Sequence, residues 1–330
     1  MMRWTLGVSL ALLVGVATVA GVLFGSVPVS PGELLAVLDG GGDPIHRDII
    51  LQLRLPRVLL AGLVGGGLAV AGATLQSLLR NPLAEPYILG MSGGASLGAV
   101  TVLALGLGAA GPWVMPLAAF AGAVGAIALV FRVATSTGRG MDVRVLLVAG
   151  VVVASFFTAC IAFILSISSA RTVQSAVLWI MGSLAAADWG DVITAAVYTL
   201  PAVVVLLSLA RPLNLMSIGE DTALYLGADV EGVKRLALAV AALVTAASVA
   251  VAGVIGFVGL VVPHAVRLVV GSDNRTLMPL TFLGGAAFLM LADLTARVAL
   301  APAEIPVGVI TAFVGVPLFL VLLRRSIGGR

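Results

Sequence analysis

The sequence predicts an all-α membrane protein of about ten transmembrane helices, and three observations predict it: composition, the spacing of apolar runs, and the distribution of basic residues between them. Hydrophobic residues make up 61% of 330 positions and charged residues 10%, with a mean hydropathy of +1.20. That is well beyond the apolar fraction of a soluble domain. Runs of roughly 17 to 25 apolar residues, each long enough to cross a bilayer, recur from end to end. They leave no room for a soluble domain, so residues 1–330 read as one membrane domain.

Taken in order, the spans fall at about 4–26, 58–79, 88–108, 112–133, 144–167, 191–210, 235–253, 254–270, 277–296 and 305–323. The first apolar run exceeds the roughly 7 to 15 residues of a signal-peptide core and reads as a retained span. Ala252, Gly253 and Gly256 supply the only break between the seventh and eighth spans, so nine spans are the alternative. Cytoplasmic loops are enriched in Lys and Arg, which tests the count. Ten spans with both termini inside place Arg3, Arg80, Arg132, Arg139, Arg144, Arg211, Lys234, Arg235, Arg267, Arg275, Arg324, Arg325 and Arg330 in the cytoplasm. Arg47, Arg54, Arg57, Arg171 and Arg297 fall outside, and thirteen against five favours ten spans.

Between the spans, Ser30-Pro31-Gly32-Glu33 has the form of a capping box with proline at the first helical position, so a short helix is expected to start there and stop near Gly40. Asp43-Pro44 opens a second helix leading into Arg54 and Arg57. Residues 171–184 are too short and polar to span and predict a short surface helix. Gly62, Gly65, Gly66, Gly67 and Gly72 in the second span, with Gly284, Gly285, Ala286 and Ala287 in the ninth, predict close helix packing.

The net charge of +3 and pI near 9.6 do not indicate a nucleic-acid partner, because the basic residues stand singly between spans rather than on one face. Nucleotide hydrolysis within this chain is excluded on motif grounds. A P-loop needs GxxxxGK[ST], and the one lysine, Lys234, lies in Glu231-Gly232-Val233-Lys234-Arg235. Ion-coupled carriers keep acidic or histidine residues deep in their spans. Here the acids fall in loops or near span ends, Asp293 being the most embedded. His264 follows Pro263 and lacks partners for a metal site, so its ring is expected to hydrogen bond a carbonyl freed by the proline. The single cysteine, Cys160, reads as a small core residue, leaving no disulfide framework and no thiolate site.

After the sixth span, residues 211–234 are long for a connector. Gly219-Glu220-Asp221-Thr222-Ala223-Leu224-Tyr225-Leu226-Gly227 has acids at a helix start and glycine at its end, and Asp229 is positioned to open another short helix. Such a helix-turn-helix on the inner surface suits docking to another protein.

Five blocks stand in order along the chain. They are Arg54-Leu55-Pro56-Arg57 before the glycine-rich span, Arg80-Asn81-Pro82-Leu83-Ala84-Glu85-Pro86 with Leu89-Gly90, and residues 256–267. Ala292-Asp293-Leu294-Thr295-Ala296-Arg297 and Glu304-Ile305-Pro306-Val307-Gly308 complete them. With these blocks in this order the chain resembles the FecCD family of ABC importer permeases, whose members serve ferric siderophores, haem and cobalamin. The resemblance implies a type II ABC importer permease in a bacterial or archaeal inner membrane, pairing with a second copy as a homodimer. It implies two ATPase subunits that bind ATP and Mg on the inner face, none of it in this chain, and a periplasmic or lipid-anchored substrate-binding protein outside. It implies docking of that protein through Arg54, Arg57 and Arg297, and coupling to the ATPases through Gly219, Glu220, Asp221, Ala223 and Gly227. Asp221-Thr222-Ala223 stands where the family favours Glu-Ala-Ala. Asn81 and Leu83 match an inner gate, though Asn81-Pro82 is also ordinary turn chemistry. The implied cargo is a metal chelate, with ferric siderophore first, cobalamin second and haem third. An ion-gradient-driven secondary transporter is the alternative.

Overall fold

The computed structural model describes residues 2–135 and 143–328. Arg139 and Arg330 lie outside the described residues, as do the side chains of Arg144 and Arg325. The described chain forms fifteen α-helices in the order α1 (Met2–Leu23), α2 (Pro31–Leu38), α3 (Pro44–Asp48), α4 (Leu55–Leu78), α5 (Met91–Ala104), α6 (Val114–Thr135), α7 (Val143–Ser166), α8 (Ala170–Ile180), α9 (Trp189–Ser208), α10 (Ala210–Ile218), α11 (Glu220–Tyr225), α12 (Val230–Ala252), α13 (Val258–Val270), α14 (Asn274–Val298) and α15 (Val307–Gly328). Seven helices are long and apolar enough to span, and α5, α13 and α15 supply three shorter apolar helices. Ten expected spans therefore meet ten helices.

The break between the seventh and eighth spans is real. Gly253 ends α12 at φ 70° and Phe257 precedes α13 at φ 68°, leaving five residues outside any helix. Irregular backbone at membrane depth needs partners for its polar groups. Ile255 N–H donates to the Tyr87 hydroxyl at 3.3 Å and Phe257 N–H to Glu85 Oε1 at 2.7 Å. Ser183 N–H takes the last carbonyl of α12, on Ala252, at 2.9 Å. His264 departs from expectation, because neither ring nitrogen has a hydrogen-bond partner and the ring lies edge-on to Phe319 at 6.4 Å. Pro263 frees the Gly259 carbonyl one turn back, and Gln76 Nε2 occupies it at 3.3 Å while also reaching the Leu260 carbonyl at 3.1 Å.

Close packing follows from small residues. At Gly65 of α4 and Gly285 of α14 the helix backbones touch, and a Cβ on either would collide with the other's carbonyl oxygen. Without water to exclude inside a bilayer, such dispersion contacts hold helices together. The buried face of α4 covers nearly its whole length, so this helix is the centre of the bundle.

The connectors form as expected at three points. Ser30 caps α2 in a reciprocal box with Glu33, Asp43 caps α3, and α8 begins at the cap Ser169. Asp229 does not open a separate short helix; it caps the long α12, accepting from Gly232 N–H at 2.9 Å. Between α3 and α4, residues Ile49–Arg54 form a π-helical turn that the sequence reading missed. Trp189 Nε1 donates to its Leu51 carbonyl at 2.9 Å.

Candidate functional site: two polar ends of one bundle

Contacts between distant residues define the two ends. Arg3 lies 3.9 Å from Asp273 at the start of α14, and Ser77 at the end of α4 donates to Asn274 Oδ1 at 2.9 Å. At the other end Arg57 opens α4 beside Asp293 near the close of α14, and Arg297 reaches the Gly21 carbonyl of α1. Six of the basic residues thus group at two ends in the way the loop charges predicted. Arg3, Arg80 and Lys234 share one end, and Arg54, Arg57 and Arg297 the other.

At the arginine end none of the three guanidinium groups stands free, with exposures of 6% for Arg54, 8% for Arg57 and 5% for Arg297. The π-helical turn aims Arg54 at the close of α1, where its NH1 donates to the Val22 and Leu23 carbonyls at 2.8 Å each and NH2 to Val27. The Val22 and Leu23 carbonyls are among those that α1 leaves unpaired at its C-terminus, where a cation is favoured. Arg57 Nε donates to both oxygens of Asp293 at 3.0 and 3.1 Å, and its NH1 to Glu304 at 2.9 and 3.2 Å. Arg297 approaches the same Asp293 carboxylate at 3.2 Å. Asp293 is 1% exposed and flanked by two cations, whereas the Glu304 side chain is 40% exposed and sits on the loop leading to α15. The geometry thus sends Arg54 to α1 and Arg57 to α14.

At the opposite end, α10 and α11 form the two-helix segment before α12. Ala223 is fully buried, while Leu224, Tyr225 and Leu226 project with exposures of 56%, 91% and 62%. Gly227 turns the chain at φ 81°, a left-handed conformation at a helix C-terminus that favours glycine. Its N–H donates to Leu224 and Ala228 N–H to Ala223, closing α11. Asp221 is exposed in the first turn, and Glu220 meets Lys234 Nζ at 2.6 Å and Arg80 at 3.4 Å. Asn214 donates to Asp273 Oδ1 at 2.7 Å and accepts from Asn274 N–H at 2.9 Å. This hydrogen bond holds the Asp273 carboxyl below the usual range.

Lys234, Asn214, Asp273 and Glu304 carry much of this geometry, and the sequence reading gave them no site role. The available signal was Lys234 itself, a lone lysine at the mouth of an apolar span. Asn81 and Leu83 lie in the turn after α4. Asn81 Oδ1 accepts from Leu83 N–H at 2.9 Å, so the asparagine performs turn chemistry here, and Leu83 is 39% exposed.

A cavity of about 560 Å³ opens between α8, the break and α15, lined by Ile180, Met181, Val254, Gly308, Ala312 and Phe313 among others. Val307 and Gly308 N–H donate to the Gly182 and Met181 carbonyls at 3.1 Å each, joining the start of α15 to the end of α8.

The described residues thus form a bundle of ten apolar helices with a break between α12 and α13, an arginine-lined end and a two-helix segment at the other end. The chain belongs to the FecCD transport family, whose pattern matches residues 12–325. It is 47% identical over 312 residues to the cobalamin import system permease protein BtuC of Halobacterium salinarum, covering 91% of this chain and 82% of that one. It is 42% identical over 285 residues to the hemin transport system permease protein HmuU of Yersinia pestis, covering 84% of each. Among solved structures it superposes on a metal-chelate type ABC transporter in an inward-facing conformation, with a TM-score of 0.88 and 33% identity over 97% of this chain and 99% of that one.

Proposed function

We propose that this chain is the translocating subunit of an ATP-driven importer for a metal chelate, working by alternating access. One observation carries the reading: the bundle presents two different polar ends, bridged by α4 and α14 in backbone contact. In this reading the end bearing α10 and α11, with both termini, faces the cytoplasm and receives two ATPase subunits that bind ATP and Mg. Gly219, Glu220, Asp221, Ala223 and Gly227 form the coupling segment, supported by the exposed apolar tip of α11. A second copy of the chain completes the pathway, and Asn81 and Leu83 narrow its inner mouth.

A substrate-binding protein docks at the opposite end through the cluster of Arg54, Arg57 and Arg297. In that cluster Arg57 and Arg297 face Asp293 and Glu304 while Arg54 faces only backbone carbonyls, so an acidic group of the partner meets residual positive charge. Such charges steer encounter and set register more than they add affinity. Relatives named for cobalamin and hemin support a metal chelate as cargo. Ferric siderophore stands first, cobalamin second and haem third.

Asp293, the most embedded carboxylate, is already engaged in ion pairs with two arginines, which counts against a carrier that binds its driving ion there. Proteoliposomes holding the permease with its ATPase decide between them. Uptake of cobalamin, haemin or a ferric siderophore that needs internal ATP and the ATPase is the expected result. Uptake abolished by an ionophore and indifferent to ATP overturns the reading.

A further inference from the structure

Lys234 is the only lysine in the chain, and it is 3% exposed. An ammonium withdrawn from water must recover its lost hydration from charged partners. Nζ donates to Glu220 Oε2 at 2.6 Å and lies 3.5 Å from Glu231 Oε1 in its own helix. The other oxygen of Glu220 is 3.4 Å from Arg80 NH2. One carboxylate at the start of α11 therefore touches the first turns of α12 and the residue just beyond α4.

Arg80 itself stands at φ 48°, a left-handed conformation that glycine adopts freely and a residue with a Cβ resists. Helices commonly end with glycine at such a position. An arginine there is accounted for by its side chain, and that side chain reaches Glu220.

A second joint lies nearby. Asn214 of α10 exchanges two hydrogen bonds with Asp273 and Asn274 at the start of α14, and Ser77 of α4 closes onto Asn274. Both of its amide atoms are used, so the register between α10 and α14 is specified. The two joints connect α10 and α11 to α4, α12 and α14. At their far ends α4 and α14 carry Arg57, Asp293 and Arg297.

We infer that Lys234, Arg80 and Asn214 are positioning residues that lock the α10–α11 segment onto α4, α12 and α14, so that a push on α11 moves these spans as one body. This rests on the reading of α10–α11 as the ATPase contact. None of the three residues needs to touch the ATPase. The apolar tip does so, and these residues deliver its displacement to the bundle. The chemistry requires a cation at Lys234, so arginine should replace it and methionine should not.

The test uses the complex of permease and cognate ATPase in nanodiscs, on a Cys160→Ala background with Phe313→Cys as reporter. Phe313 is 74% exposed and lines the cavity beside α15, at a distance from both joints. The readouts are affinity for the ATPase and the ATP-induced change in maleimide labelling of the reporter. Lys234→Met, Arg80→Gly and Asn214→Ala are expected to keep ATPase affinity while shrinking the ATP-induced change roughly three- to tenfold, and Lys234→Arg to restore it. Arg80→Gly relieves a strained backbone, so it carries the test with Asn214→Ala should Lys234→Met fail to fold. A wild-type ATP response in Arg80→Gly and Asn214→Ala overturns the inference, leaving these contacts as packing alone. If instead the unmodified permease does not bind the ATPase, the coupling reading itself fails.

Discussion

Arg57 grips Asp293 with both Nε and NH2, at 3.0 and 2.9 Å from the same carboxylate oxygen, across a gap of 236 residues in sequence. The pair fastens the start of α4 to the end of α14, and Arg297 leans on the same carboxylate. Removing one member of a buried ion cluster leaves the others uncompensated. Asp293→Asn is therefore expected to destabilise the folded bundle by about 3–5 kcal/mol. Thermal unfolding in detergent checks this, and a midpoint equal to wild type would show that the two arginines do not depend on the Asp293 charge.

The contact between Gly65 and Gly285 is set by backbone atoms, which cannot rotate away from a new methyl group. Gly65→Ala should cost about 1–3 kcal/mol through overpacking. Gly15→Ala is the control, since nothing lies within 4 Å of its added Cβ, and it should be neutral or slightly stabilising. Equal midpoints for the two variants would contradict the close approach of α4 and α14.

Truncating the exposed tip of α11 tests the partner surface without disturbing the core. Tyr225→Ala combined with Leu226→Ser should leave the unfolding midpoint unchanged. Affinity for the ATPase subunit should fall at least tenfold, about 1.4 kcal/mol. Ala223→Leu acts differently: with no exposed surface at that position, it should destabilise the segment by about 1–3 kcal/mol. Calorimetric titration of the ATPase onto the permease separates the two effects.

The Asn214 amide holds Asp273 below the ordinary carboxylate range, and this predicts a pH dependence. A carboxyl whose folded value is depressed adds stability that is fully present above its unfolded value, near 3.9, and is lost as pH falls through the lower folded value. The difference in unfolding midpoint between wild type and Asp273→Asn should hold from neutral pH down to about 4 and vanish below it. In Asn214→Ala that loss should be smaller and complete at higher pH, because the folded value is less depressed while the unfolded one is unchanged. Unfolding curves across this range decide.

Ser30, Glu33, Asp43, Pro44 and Asp229 announce helix starts by chemistry that acts within a few residues, and the structure places a helix at each. The count of ten spans was legible for a similar reason, since length and apolarity are properties of a continuous segment. Where local signals ran out, the reading did too. The π-helical turn that aims Arg54 at α1 leaves no mark in composition. The carbonyl freed by Pro263 was predictable, but not that Gln76, distant in sequence, would take it ahead of His264.

The arginines show the division most clearly. Their place at one end of the bundle followed from the sequence, because the lipid bilayer sorts loops by charge and each span reverses direction. Their burial against α1, Asp293 and Glu304 did not, because those partners come from helices far apart in the chain. The same holds for Lys234, which the sequence marked only as solitary and the tertiary structure joined to Glu220. Periodicity, capping and charge bias are short-range and survive in one dimension. Which buried charge meets which is settled by helix packing, and here that packing depends on glycine pairs such as Gly65 and Gly285, whose partnership no single segment encodes.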